Sequence, residues 1–215
     1  LTYNAKSQTT TIVVNGKTLT LNKDFKVVSG SLKATKAGTY TVKIKGIGNY
    51  SGDTTVKYTV NAQQSYKATA AAKTYNAKNQ TTKVTVKYGN TVLKRGTDYK
   101  ITGVTRAKNA GKYKITVKGI NNYKGTKTIY YTINKAAQKS VKVKVNASKK
   151  KITVSGVKAK AKVTYKSANK KVKVKNGKIT VGKGVKKGTK VRITVKVAAT
   201  KNYKAYSKSI IYKVK

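Results

Sequence analysis

The sequence predicts an all-β fold made of small β-sandwich modules in tandem. Three observations support this prediction. Apolar and polar residues alternate along most of the chain, short turn signals separate the alternating runs, and one long segment occurs twice. No stretch shows the apolar spacing of a helix, because even the Ala-rich "KATAAAK" (67–73) is too short to form a stable helix alone.

The repeated segment defines the organisation of the chain. "TYNAKSQTTTIVV" (2–14) returns as "TYNAKNQTTKVTV" (74–86), and "AGTYTVKIKGIGNYSG" (37–52) returns as "AGKYKITVKGINNYKG" (110–125). We therefore predict one module over 1–61 and a second over 73–134, with 62–72 as a linker or a leading strand of the second. Residues 139–215 form a third module of another subtype, because "KNYKAYSKSIIYKV" (201–214) echoes "NNYKGTKTIYYTI" (121–133).

Within each predicted module the period of two marks half-buried strands. Val42 and Ile44 alternate with lysines, as Val191 and Ile193 alternate with Arg192. Turn signals such as Asn176-Gly177 recur at the spacing of roughly 8–12 residues that is typical of β-sandwiches. No run of about 20 apolar residues is present, so we expect no membrane span.

The charge is far from that of an ordinary soluble domain. The 215 residues include 51 Lys plus Arg but only 3 acids (Asp24, Asp53 and Asp98), which gives a formal net charge of +48. A small soluble domain carries a net charge of roughly 2–8. Because the lysines alternate with apolar residues along the strands, most of this charge lies on the solvent-facing sides. A polyanion that bound there would release the counterions condensed on the polymer. The candidate polyanion-binding residues are Lys142, Lys144, Lys173, Lys175, Arg192 and Lys196 in the third module, and Lys43, Lys45, Lys83, Lys87, Lys114 and Lys118 in the first two.

The residues for most catalytic chemistry are missing. There is no His and no Cys, so zinc binding and thiol chemistry are excluded, and no pair of acids is available for proton transfer. We predict a non-enzymatic protein without cofactor or metal. Asp24 and Asp98 share one repeat position beside a turn, which indicates structural caps of backbone N–H groups.

The tyrosines divide into two predicted groups. Tyr50, Tyr123 and Tyr203 recur at one position and are expected in the core or at corners. Tyr88, Tyr130 and Tyr206 are expected to face outwards, where they could stack on sugars or bases.

The repeated motif resembles the short repeat modules of bacterial, Gram-positive surface proteins and adhesins. The matching residues of the second copy are Tyr75, Lys78, Gln80, Leu93, Gly96, Asp98, Tyr99, Ala110, Gly111, Tyr113, Gly119, Asn122, Tyr123 and Gly125. The segments "VTYKSANKKVKVKNGKITV" (163–181) and "KGTKVRITV" (187–195) resemble a bacterial Ig-like domain of the second group. The resemblance implies three small Ig-like β-sandwich modules, and the first two could instead be β-grasp-like.

The same resemblance implies a secreted or cell-surface bacterial protein with an adhesive or structural role. Such proteins can also carry Lys–Asn isopeptide bonds, which need a buried acid, and Asp24 or Asp98 could supply it. This chain departs from the pattern because lysines replace the usual acids. The combined prediction is electrostatic binding of anionic polymers: teichoic acid, acidic glycans or extracellular DNA.

Two alternatives remain open at this point. The chain could be an inert stalk that presents another domain, or a non-specific nucleic-acid-binding protein, although base readout favours Arg and only Arg95, Arg106 and Arg192 are present. Because the sequence starts at Leu1 and contains no Met, we expect a longer parent protein.

Overall fold

The computed structural model describes residues 1–215 and is all-β. No α-helix forms, and the only helical element is a short 3₁₀ turn at Lys158–Lys160. The prediction of an all-β, sandwich-type fold is confirmed. Neither copy of the repeated segment contains the helix that a β-grasp fold packs against its sheet.

The first repeat (residues 1–61) consists of short strands around one three-stranded sheet. Its strands are β1 (Gln8–Thr9), β2 (Ile12–Val14), β3 (Lys17–Leu19), β4 (Phe25–Ser29), β5 (Lys33–Ala34), β6 (Gly38–Gly46) and β7 (Asp53–Val60). The three-stranded sheet has the order β4-β6-β7, β2 pairs with β3 across the Asn15-Gly16 turn, and β1 pairs with β5. Both turn residues have positive φ (49° and 77°), as a two-residue hairpin turn requires.

The core of the first repeat collects the inward residues of these strands. Val42 is fully buried and Ile44 is 5% exposed, whereas the intervening Lys43 faces solvent. Ile12, Leu19 and Phe25 complete the same cluster from the other strands. The two-residue period in the sequence therefore corresponds directly to the two faces of the sheet.

The second repeat has the same arrangement with two additional short strands at its start. Its strands are β8 (Lys67–Ala70), β9 (Lys73–Thr74), β10 (Gln80–Thr81), β11 (Val84–Tyr88), β12 (Thr91–Val92), β13 (Tyr99–Gly103), β14 (Arg106–Ala107), β15 (Gly111–Gly119) and β16 (Thr126–Asn134). The segment between the repeats supplies β8, which extends the hairpin into the sheet β12-β11-β8. The larger sheet has the order β13-β15-β16-β9.

The C-terminal region (139–215) consists of two sheets over one core. Its strands are β17 (Lys142–Asn146), β18 (Lys151–Ser155), β19 (Val163–Ser167), β20 (Val172–Lys175), β21 (Lys178–Val181), β22 (Lys190–Val197) and β23 (Tyr206–Lys213). The first sheet has the order β17-β18-β21-β20 and the second β19-β22-β23. Ile152 and Ile179 of the first sheet share a cluster with Ile193 and Tyr212 of the second, so the outer faces of the two sheets point in opposite directions.

By proximity of its Cα atoms the chain divides into two compact units. The first consists of Leu1–Ala71, Lys83–Thr105 and Lys114–Tyr130. The second consists of Ala72–Thr82, Arg106–Tyr113 and Tyr131–Lys215. The second repeat thus contributes strands to both units.

Candidate polyanion-binding surfaces

All twelve residues that the sequence singled out for polyanion binding are exposed. Lys73 is half-buried, and all the other lysines and arginines of the chain are exposed. With 3 acids for 51 cations, most of these side chains have no carboxylate to pair with. The structure does not bring the twelve residues into a single site, because they lie on several different sheets.

One outer face of the C-terminal region carries a dense group of lysines. We call it the lysine face; it consists of Lys142, Lys144, Lys151, Lys173, Lys175 and Lys178, all on the sheet β17-β18-β21-β20. Lys178 lies directly opposite Lys151 on one side and Lys175 on the other. Like charges at such directly opposed positions are destabilising.

The local sequence explains this row of three lysines. Asn176 and Gly177 have φ values of 50° and 79°, which form a tight turn and place Lys175 and Lys178 side by side. A Cβ on Gly177 would lie 2.4 Å from the carbonyl oxygen of Ile152, so only glycine allows β21 to approach β18 here.

Arg192 and Lys196 do not belong to the lysine face. Both lie on β22 of the second sheet, where Lys196 is opposite Thr164 and Ser207, and Arg192 is opposite the exposed Ile211. Because this sheet faces the other way, a single straight polymer cannot lie flat on all six predicted residues at once.

A groove between the edges of the two sheets leads from Lys173 and Lys175 of the lysine face towards Arg192. We call it the basic groove: a cavity of about 540 Å³ bordered by Tyr165, Lys166, Lys170, Lys173 and Lys175. A neighbouring cavity of about 210 Å³ shares Lys166 and Ser167 with it and reaches Arg192. The volume of the larger cavity falls within the range of roughly 300–1,000 Å³ that is common for ligand sites.

The groove combines cations with one aromatic ring. Burial raises the pKa of the Tyr165 hydroxyl above its ordinary value, so this group stays neutral and able to donate a hydrogen bond in neutral solution. Lysine ammonium groups beside an aromatic ring are suited to phosphates or carboxylates that alternate with sugar rings.

The predicted lysines of the two repeats lie on separate sheets as well. Lys43 and Lys45 are on β6, and Lys114 and Lys118 on the equivalent β15. Lys45 lies between Lys26 and Asp53, whereas Lys118 is opposite Lys100.

The other two predicted residues of the second repeat belong to its smaller sheet. Lys87 is on β11 opposite Lys67, and Lys83 lies just before that strand.

The repeated acids bind backbone groups at their turns. The Asp24 carboxylate accepts a hydrogen bond from the Thr20 N–H (2.8 Å), and Asp98 accepts one from the Lys94 N–H (2.7 Å). Both residues are half-buried and Asp53 is exposed, so no acid of the chain is buried as an isopeptide bond would require.

Tyr88 and Tyr206, which were expected to face outwards, are half-buried, whereas Tyr123 is buried as its core position predicts. Tyr88 does not face solvent freely: it is half-buried, accepts a hydrogen bond from the Gln63 side-chain amide (3.0 Å) and packs edge-on against Tyr123. Tyr123 and Tyr203 contact the neighbouring region of the chain as well as their own, through edge-on rings at Tyr3 (5.5 Å) and Tyr75 (5.3 Å). Tyr130 is 50% exposed, as its position in the strand predicts.

Sequence reasoning missed Lys151, Lys166, Lys170 and Lys178. Lys151 and Lys178 begin their strands, and their alternation with Ile152 and Ile179 was available as a signal. Lys166 and Lys170 could not be found in this way, because the groove exists only where the edges of two different sheets meet.

No known protein-family model matches the chain, and a search of curated proteins found no similar sequence. None of the elements is a helix with the length and apolar character needed to cross a membrane.

Proposed function

We propose that the chain is a non-enzymatic, adhesive or structural region of a secreted or cell-surface bacterial protein. In this proposal it consists of three Ig-like modules and binds linear anionic polymers, with the basic groove of the C-terminal region as the strongest site. The observation that supports it most directly is the clustering of Lys166, Lys170, Lys173 and Lys175 around one cavity that also contains Tyr165.

Repulsion between neighbouring lysines lowers the free energy of unfolding of the chain. Two ammonium groups about 5 Å apart repel by roughly 0.8 kcal/mol in bulk water, before salt screens them. Strand pairing places Lys178 directly opposite Lys151 on one side and Lys175 on the other, so like charges are neighbours across three strands. A bound polyanion replaces repulsion by attraction and releases counterions, so binding and stability increase together.

The groove gives a reason for local rather than uniform binding. Its lining residues come from β19, β20 and the loop between them, so a polymer that crosses the groove passes Lys166, Lys170 and Lys173 within a short stretch. Lys57 of the first repeat, by contrast, lies on a regular strand opposite Thr41. Weak contacts along the remaining lysine-rich surfaces then add through effective concentration.

The test measures binding of the 215-residue chain to labelled polyphosphate, wall teichoic acid, a sulfated glycan and single-stranded DNA over 50–400 mM salt. The groove variant is K166Q/K170Q/K173Q. The control variant K17Q/K33Q/K57Q removes the same charge from exposed lysines of the first repeat. We expect the groove variant to lose at least about tenfold in affinity, and its salt slope to fall by about 2–3, while the control changes little.

Each other result has a definite meaning. Equal losses in the two variants would mean that binding is spread over the whole surface and that the groove is no site. The absence of salt-dependent binding to any of the four polymers would favour an inert stalk, and binding of DNA alone would favour a nucleic-acid-binding protein.

A further inference from the structure

A tyrosine of the linker segment (62–72) packs into the second repeat. Tyr66, in the segment before the second repeat, is 2% exposed and inserts its ring beside Tyr123. Its hydroxyl donates to the carbonyl oxygen of Gly125 (2.8 Å) and accepts from the N–H of Gly119 (3.1 Å). Tyr66 is therefore held by both packing and hydrogen bonds.

The first repeat has a cavity at the corresponding position. The cavity measures about 190 Å³, and its lining includes Leu19, Phe25, Ile44, Tyr50 and Gly52. The equivalent residues of the second repeat are Leu93, Tyr99, Val117, Tyr123 and Gly125, the last three of which contact Tyr66. The volume is below the range of roughly 300–1,000 Å³ for small-molecule sites, but it suits a single large side chain.

The strand beside this cavity also lacks a partner. In the second repeat β11 pairs with β12 on one side and with β8 on the other. In the first repeat β2 pairs only with β3, and Val13 and Val14 are 55% and 41% exposed. A free strand edge with exposed β-branched residues is a template for one more strand.

A third difference lies at the Asn-Tyr pair that each region contains. The Asn122 side-chain oxygen accepts a hydrogen bond from the Ala37 N–H (2.8 Å), and Asn202 accepts one from the Ala110 N–H (2.8 Å). The same pair of contacts thus forms twice: an asparagine side chain accepts from an alanine N–H, and an edge-on tyrosine pair lies beside it. In the first repeat Asn49 is exposed without a side-chain hydrogen bond, and Tyr50 has no ring partner.

We propose that this end of the first repeat is an acceptor site for the linker strand of a further repeat. The occupant is an extended segment of the Ser65–Ala70 type, which places a tyrosine in the 190 Å³ cavity and adds a strand to β2. The Ala-Gly corner and the tyrosine ring of the repeat that precedes this linker, equivalent to those at Ala37 and Tyr3, would then reach Asn49 and Tyr50. This acceptor site follows from the equivalence of the two repeats and does not depend on polyanion binding.

The chain itself provides an in-register test. Leu1 corresponds to Lys73, because Thr2 pairs with Asn61 as Thr74 pairs with Asn134. A copy of residues 62–72 placed directly before Leu1 therefore enters the first repeat with the same spacing as in the second. A second fusion carries alanine instead of the tyrosine in the added copy and serves as the matched control.

The measurement is hydrogen exchange resolved by segment. We expect amides of Ile12–Val14 to exchange at least about tenfold more slowly in the tyrosine fusion than in the unfused chain, and the alanine fusion to lose most of that protection. Unchanged exchange in the tyrosine fusion, or equal protection in the two fusions, would overturn the proposal. Protection of Ile12–Val14 in the unfused chain that rises with its concentration, together with dimers in sedimentation, would show a second copy as the occupant and would equally overturn it.

Discussion

The two repeats have closely similar sequences but very different surroundings. Tyr123 is 4% exposed and contacts the rings of Tyr3, Tyr66 and Tyr88, whereas the equivalent Tyr50 is half-buried and has no ring partner. Burial raises the pKa of Tyr123 above its ordinary value, and the neighbouring Tyr3 and Asp98 add to the effect.

The comparison shows that the repeat is not a self-sufficient packing unit. Its own strands bury the inner core, as Val42 and Ile115 are both fully buried. The outer end of that core is completed by residues from outside, namely the linker and the preceding region. The stability of a repeat of this kind therefore includes a nearest-neighbour contribution, as in other repeat proteins.

The largest expected difference between the repeats concerns the matched tyrosines. Tyr123→Ala should destabilise the second repeat by about 3–5 kcal/mol, because it removes a buried ring from a cluster of four tyrosines. Tyr50→Ala should cost the first repeat only about 1 kcal/mol, since its ring is half-solvated. Urea unfolding followed by segment-resolved hydrogen exchange compares the two. Equal losses would mean that the ring cluster adds nothing to the second repeat.

A smaller difference is expected at the matched asparagines. Asn122→Ala leaves the Ala37 N–H without its acceptor and should cost about 1–2 kcal/mol, measured as a lower urea midpoint. Asn49→Ala should change the free energy of unfolding by less than about 0.5 kcal/mol, as expected for an exposed side chain without a partner. A cost of 1 kcal/mol or more at Asn49 would contradict the view that it is free.

In the third prediction the first repeat, and not the second, loses more stability on substitution. Tyr58 and Tyr131 are equivalent, and each stacks on a second tyrosine at 5.2 Å. The Tyr58 hydroxyl donates to the carbonyl oxygen of Ser31 (3.0 Å), but the buried Tyr131 hydroxyl has no partner. Tyr58→Phe should therefore cost about 1 kcal/mol, whereas Tyr131→Phe should leave stability unchanged or raise it by up to about 1 kcal/mol. Thermal midpoints of the two variants test the pair, and a loss at Tyr131 would reveal a partner for its hydroxyl.

The smallest expected effect concerns charge on the matching sheets. Asp53 lies opposite Lys45, and Thr126 is the equivalent of Asp53 in the second repeat. Thr126→Asp should stabilise by about 0.2–1 kcal/mol in low salt by placing an acid beside Lys118, and Asp53→Thr should cost a similar amount. Both effects should shrink in 0.5 M salt, and an effect independent of salt would exclude a charge origin.

Several parts of the molecule were predictable from local sequence. The alternation of Val42 and Ile44 with lysines predicted their burial, and the Asn15-Gly16 and Asn176-Gly177 pairs predicted tight turns between strands. The exposure of the twelve candidate cations followed from the same alternation. These features depend only on neighbours along the chain, so the sequence pattern is sufficient for them.

The distribution of the charge depended on which strands became neighbours. Lys151 and Lys178 are 27 positions apart in the sequence, yet strand pairing sets them directly opposite each other. Arg192 and Lys173 looked alike in the sequence but lie on opposite sheets, and the basic groove arises only where the edges of those sheets meet.

The sequence by itself determined the strands, the turns, the side of each strand that faces water, and the excess of positive charge. All of these follow from a period of two and from residue type. The tertiary structure alone decided that Tyr66 completes the second repeat, that β2 pairs with β3 alone, and that four lysines border one groove. The physical reason is that packing between strands distant in sequence depends on sheet order and register, which local alternation does not specify.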